Sequence, residues 1–148
     1  MTPLFKKMNL GSHEKILVLN APKSFDEALI QLDGVQIKRK VPSKSSVLFC
    51  IGFAITQLEL DSLSSKFAKA TEGDSIVWIA YPKGTSKKYK CEFNRDTGWT
   101  VLGEAGFESV RMVAMDEDWS ALRFRRVEHI KSLTRNDSRL ISNVAKRR

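Results

Sequence analysis

The stretch Ile16-Leu17-Val18-Leu19-Asn20-Ala21-Pro22-Lys23-Ser24-Phe25-Asp26-Glu27 (ILVLNAPKSFDE) decides how the chain is read. Four apolar residues in a row fit a strand buried on both faces, the pattern of a parallel sheet. Ser24 and Glu27 then stand at the S-x-x-E spacing of a capping box, and Phe25, Ala28, Leu29 and Leu32 follow at helical intervals. A strand running at once into a helix opens many nucleotide-binding folds, which place a glycine-rich phosphate loop at the junction. Here the junction is Asn20-Ala21-Pro22, without a glycine.

The rest of the chain alternates in the same way. Asp33-Gly34 stops the first helix, and Val35 to Arg39 reads as a second strand ending in the basic run Lys38-Arg39-Lys40. Val47 to Phe53 is a nearly unbroken apolar strand. Thr56 and Glu59 form another capping box, opening a helix to about Ala70 with Leu60, Leu63 and Phe67 inward. After the turn Glu72-Gly73-Asp74, Ser75 to Tyr81 (SIVWIAY) is a further buried strand. A helix from Asp96 or Thr97 to Ala105 is closed by Gly106. Glu108 to Met115 and Ser120 to Arg126 are joined only by Asp116 to Trp119, short enough to require an antiparallel pair.

The expected fold is therefore α/β: a three-layer sandwich, mostly parallel, ending in an antiparallel strand pair. The link from Arg39 to Ser46 is too short for a crossover helix. About seven extended residues reach roughly 23 Å, which allows a bare crossover past one strand. The expected organisation is a leader over residues 1–14, an α/β domain over 15–128 and a basic tail over 129–148.

A length of 148 residues, 42% hydrophobic and 28% charged, fits one globular domain with its own core. No apolar run approaches the ~20 residues of a membrane helix, so membrane insertion is not expected. Cys50 and Cys91 match no metal or redox spacing, and reduced thiols fit a cytoplasmic location. The net charge of +8 is concentrated at one end: residues 123–148 hold nine Lys/Arg against Glu128 and Asp137. Such asymmetry brings nucleic acid, anionic surfaces and acidic proteins into view as partners, although a solvated basic tail is equally common.

The segment Gly73 to Lys83 (GDSIVWIAYPK) resembles the fifth strand of class I methyltransferase-like domains. Ala105-Gly106-Phe107-Glu108-Ser109-Val110 and Trp119 to Arg126 resemble their closing helix, sixth strand and antiparallel seventh strand. The combination of LNAP, ITQLE, W-x-x-YPK-x-x-S and D-E-x-W-S-x-L-R-F is similar to a bacterial family of domains of unknown function, regarded as truncated methyltransferase-like Rossmann folds. The resemblance covers about Lys7 to Arg126 and implies a fold without bringing an activity. Against true methyltransferases, the glycine-rich turn is replaced by Asn20-Ala21-Pro22. The acidic residue expected after the second strand is replaced by Lys38-Arg39-Lys40. Both departures argue against an ordinary S-adenosylmethionine site, and no cofactor is expected.

Ligands of open α/β sheets sit beyond the carboxyl ends of the strands. That end gathers Asn20, Lys23, Arg39, Lys40, Lys83, Ser86 and Asp116 as candidate ligand-binding residues; strand ends also carry solvated lysines as a matter of course. For nucleic acid, Lys87, Lys88 and Lys90 around Tyr89, with Arg125, Arg126, Lys146, Arg147 and Arg148, supply cations beside an aromatic ring. No catalytic triad and no metal set is legible. The expected function is a non-catalytic module that binds an anionic partner, RNA or a phosphorylated ligand, through the sheet end and the basic tail. The alternatives are an atypical S-adenosylmethionine- or nucleotide-dependent enzyme, and a protein-interaction module whose tail meets an acidic partner.

Overall fold

The computed structural model describes residues 2–44 and 47–130. Its sheet runs β2-β1-β3-β4-β6-β5. The strands are β1 (Lys15–Leu19), β2 (Gln36–Lys38), β3 (Val47–Phe53), β4 (Thr71–Pro82), β5 (Phe107–Ala114) and β6 (Trp119–Arg126). β1 is parallel to β2 and β3, and β3 to β4, while β6 is antiparallel to both β4 and β5. This is the expected mostly parallel α/β sheet closed by an antiparallel pair.

Alternation along the strands divides the core in two. Ile16, Val18, Phe49, Ile51, Trp78 and Ala80 face α1 (Pro3–Lys7) and α2 (Lys23–Ile30). Leu17, Cys50, Val77 and Ile79 face α3 (Gln57–Ala70) and α4 (Thr100–Glu104). Gly52 lets α3 approach β3: a Cβ there would lie 2.7 Å from a methyl of Leu63. β2 and β3 flank β1, so the link crosses a single strand, and its described residues, 39–44, form no helix. The step is two strand spacings, roughly 10 Å, well within the chain's reach.

Several local expectations change. The first fourteen residues contribute Phe5, Met8 and Leu10 to the core, and the indole N–H of Trp78 donates to the Met8 carbonyl at 3.0 Å. That segment is built into the sandwich rather than leading up to it. α2 starts at Lys23, one residue before the expected cap, with Pro22 at the N-cap and no side chain capping it. The proline ring fixes the φ with which the chain enters the helix, leaving Ser24 inside the first turn. The Thr56–Glu59 box, in contrast, is complete. Thr56 Oγ1 accepts from the Glu59 amide at 3.1 Å, and Glu59 Oε1 accepts from the amides of Ile55 and Thr56 at 3.0 Å each. Those two backbone donors hold the Glu59 carboxyl below its usual range.

β4 begins at Thr71 because the expected turn is a bulge inside the strand. Its register passes from Val47↔Thr71 to Phe49↔Ile76, with Gly73 at φ 59°. α4 is shorter than expected, because Asn94 Oδ1 accepts from the amides of Asp96 and Thr97 and winds those residues into a turn.

Candidate functional site

The chain leaves β1 toward β2 on one side and resumes at β3 on the other, so the topological switch point lies between β1 and β3. Asn20 sits at its mouth. Its φ of 61° is left-handed, a conformation that favours glycine and that asparagine tolerates better than most residues. Its side-chain amide donates to the Phe53 carbonyl at 3.3 Å, tying the carboxyl end of β1 to that of β3. Three residues later α2 begins, and the amides of Lys23 and Ser24 belong to its first turn, which has no side-chain cap. Arg39, just past β2, lies 2.9 Å from Asp26 Oδ1 on α2, both side chains about half exposed at 49% and 45%. An acidic group therefore stands beside the end of β2 after all, supplied by the helix.

The other half of this end is built where β4 stops. The Lys83 amide donates to the Asp118 carbonyl at 2.7 Å, and the Ser86 hydroxyl donates to Asp118 Oδ1 at 2.8 Å. Ser86 Oγ in turn accepts from the amides of Lys88 and Tyr89. Asp116 Oδ1 accepts from the amides of Asp118 and Trp119, both at 2.8 Å, which makes it the organiser of its own hairpin turn. The loop after β4 is thus clamped to the β5–β6 hairpin. Tyr89 packs on Trp119 (ring centroids 5.1 Å apart), Trp119 on Phe53 (5.2 Å) and Phe53 on Phe25 (4.9 Å). This aromatic row joins the β4 end to the switch point.

Beside the clamp lies a cleft of about 890 Å³, floored by Tyr81, Phe93 and Ser120 and edged by Lys83, Ser86 and Arg95. Lys87, Lys88 and Lys90 also line it, with Glu92 as the single carboxylate. Glu92 Oε1 accepts the Gln57 amide at the start of α3. Burial pushes the Tyr81 phenol and the Cys91 thiol up from their ordinary values.

The candidate residues of the sequence fall into separate places. Asn20 and Lys23 lie at the end of β1, Arg39 is held by Asp26, and Lys40 follows in the exposed crossover segment. Lys83, Ser86 and Asp116 come together at the β4 end. The nucleic-acid candidates do not form one surface. Lys87, Lys88 and Lys90 belong to the cleft, whereas Arg125 and Arg126 lie at the opposite end of the sheet and serve the fold. Arg125 grips Asp74 through two hydrogen bonds of 2.8 and 2.7 Å. Arg126 donates to the carbonyls of Ala68, Thr71 and Gly73 and covers the Phe107 ring at 4.6 Å. Lys146, Arg147 and Arg148 lie outside the described residues. Sequence reasoning missed Asp26 and Phe53, and it placed Asp118 in the hairpin turn without its tie to Ser86; an acid in the first turn of the helix after β1 was the available signal for Asp26.

Among the described residues no three His, Cys, Asp or Glu side chains cluster as a metal site. No helix among them is long and apolar enough to cross a membrane.

No family model and no curated protein matches the chain. Among solved structures, N-methyltransferase NodS from Bradyrhizobium japonicum WM9 is similar in fold. It aligns at 12% identity over 83% of this chain and 91% of that one, with a TM-score of 0.50. A SAM-dependent methyltransferase from Methanosarcina mazei aligns at 10% identity over 85% and 98%, with a TM-score of 0.47. At these identities the likeness is one of fold: this chain has a methyltransferase-like Rossmann sandwich. The expectation of a non-catalytic, anion-binding module is corrected on this finding, and with it the leaning away from an enzyme. NodS is an N-methyltransferase, so the shared fold leaves an enzyme open, as the alternative reading has it. That expectation rested on the glycine-free junction and on the basic run after β2; at the junction Asn20 itself adopts a left-handed φ of 61°.

Proposed function

We propose that the chain is an atypical S-adenosylmethionine-dependent methyltransferase whose cofactor site lies at the carboxyl ends of β1 and β3. The left-handed Asn20 carries this reading, since it supplies at the end of β1 the backbone geometry for which the fold ordinarily uses glycine. The neighbouring groups fit the same cofactor. The uncapped amides of Lys23 and Ser24 would meet its carboxylate, and Asp26 would serve its ribose hydroxyls from α2 in place of an acid after β2. The cofactor supplies an electrophilic methyl group. On the acceptor side, Lys83 and Ser86 edge the neighbouring cleft, where a second substrate would be held close to the switch point. Lys40 and Asp116 belong to the rim of this end, Asp116 acting through the hairpin it organises. We place the protein in the cytoplasm, among the bacterial domains its motifs resemble.

Calorimetric titration with S-adenosylmethionine and S-adenosylhomocysteine, with amide shifts followed by NMR, tests the reading. Saturable binding with shifts at Asn20, Lys23 and Phe53 is expected. Absence of binding at millimolar cofactor, or shifts confined to the opposite end of the sheet, would refute it.

A further inference from the structure

The face of the sheet that carries α3 and α4 is unevenly covered. α3 packs on β3 and β4, and α4 on β5. Among the described residues no helix covers β1 and β2 on that face, and Val41 and Pro42 of the crossover stand beside it, so the layer lacks a helix's width there. The consequence is a groove of about 920 Å³ between the crossover and the strands. Its apolar floor includes Leu17 and Leu48, and Val41 and Pro42 close it from the crossover side. Leu48 is 60% exposed in a strand whose next residues are fully buried. Its register explains the position. Leu17 pairs with Cys50 on one side and Lys38 on the other, which sets Leu48 level with Lys15 on the same face.

Cations surround this apolar strip. Lys15, Lys38, Arg39 and Lys40 line the groove, with Glu14 as the one carboxylate among its lining residues. Arg39 is turned toward Asp26 on α2, which leaves three lysines to set the field over the floor. An apolar strip within a cationic rim complements a molecule that is apolar along its length and negative at one end. The volume is that of a small-molecule site rather than of a protein interface.

We infer that the groove under the crossover binds a single-chain anionic amphiphile, an acyl or alkyl chain ending in a carboxylate or phosphate. The chain lies along Leu17 and Leu48 beneath Val41, and the head group meets Lys38 and its lysine neighbours. This site is on the opposite face of β1 from α2 and does not depend on the proposed methyl transfer.

Dodecanoate is the probe, titrated into the full chain by calorimetry and by NMR amide shifts, with dodecanol as its uncharged counterpart. The result expected is saturable binding of one dodecanoate per chain, with shifts at Leu17, Val41 and Leu48, and weaker binding of dodecanol. Leu48→Asp, at an already exposed position, keeps the fold by circular dichroism and weakens binding about tenfold by removing apolar contact and adding a like charge. Lys38→Glu weakens it about threefold. Any of four results would overturn the inference: no saturable dodecanoate binding, unchanged affinity in Leu48→Asp, shifts located elsewhere, or binding to phosphatidylglycerol vesicles without binding to free dodecanoate. A concentration-dependent dimer in sedimentation, abolished by Leu48→Asp and indifferent to dodecanoate, would assign the groove to a second copy of the chain and equally sink it.

Discussion

Replacing Asn20 separately by alanine and by glycine isolates what this residue does. Two contributions meet there: a left-handed backbone at φ 61° and a hydrogen bond of 3.3 Å from its side chain to the Phe53 carbonyl. Both substitutions lose the hydrogen bond, worth about 1 kcal/mol net. They differ in the backbone. Alanine in the left-handed region costs about 1–2 kcal/mol, part of which asparagine already bears, whereas glycine carries no such cost and loses roughly 0.5–1 kcal/mol through the entropy of its unfolded state. Asn20→Ala is therefore expected to destabilise by about 2 kcal/mol, and Asn20→Gly by less, with the two variants separated by about 1 kcal/mol. Urea unfolding followed by tryptophan fluorescence measures both midpoints, and similar slopes would confirm a common unfolded reference. An alanine variant as stable as the glycine variant would show that the backbone at Asn20 is unstrained, and would remove the structural basis for treating it as the cofactor turn.

Gly52→Ala places a methyl 2.7 and 2.9 Å from the two methyls of Leu63 and 3.0 Å from the Phe67 ring. Both neighbours are buried between α3 and β3, so a loss of about 1–3 kcal/mol in chemical denaturation is expected; a neutral result would mean that α3 shifts freely. Thr56→Ala breaks one arm of the α3 capping box and should cost about 1 kcal/mol, with faster hydrogen exchange confined to the first turn of α3. For Asp74, the hydrogen bonds from Arg125 hold the carboxyl below its ordinary value. Its contribution is thus fully present above the unfolded aspartate range and is lost as pH falls through the lower, folded value. Asp74→Asn should be less stable at neutral pH by about 0.5–1 kcal/mol, the range of a partly exposed pair, and the gap should close as the pH is lowered through the acid range. A gap that widens on acidification would contradict the assigned direction.

The parts of the fold that were legible in the sequence are those governed by local chemistry. Ile16 to Leu19 and Val47 to Phe53 announce buried parallel strands because both faces must be apolar, and Thr56 with Glu59 marks the α3 start because its cap is local. What escaped depends on contacts across the chain. Phe5, Met8 and Leu10 are scattered among lysines and turn residues, and their place in the core is fixed by distant partners such as the Trp78 indole, seventy positions from Met8. The start of α2 was displaced because Pro22, not Ser24, sets the entry. At the site, cationic residues were easy to enumerate and hard to interpret: charge alone does not reveal that Arg125 is committed to Asp74, or Arg126 to the carbonyls of Ala68, Thr71 and Gly73. The acid beside β2 went unnoticed for a related reason, since it comes from a helix and not from the strand itself.

Asn20 also constrains how a cofactor could enter. A glycine at this position would leave the space between the β1 and β3 ends empty, whereas the asparagine side chain spans it to Phe53. The same bond that helps hold the left-handed turn therefore closes the mouth of the switch point. A ligand that approaches the turn must displace that side chain, giving up about 1 kcal/mol and so weakening apparent binding by about fivefold relative to a preopened site. Stability and affinity are then expected to move in opposite directions in Asn20→Gly: somewhat lower resistance to urea, tighter binding of S-adenosylhomocysteine. If the glycine variant bound more weakly, the carboxamide would be a ligand-contacting group and not a closure. Asn20→Asp separates these roles further, because it tolerates the left-handed turn but has no N–H to donate to Phe53.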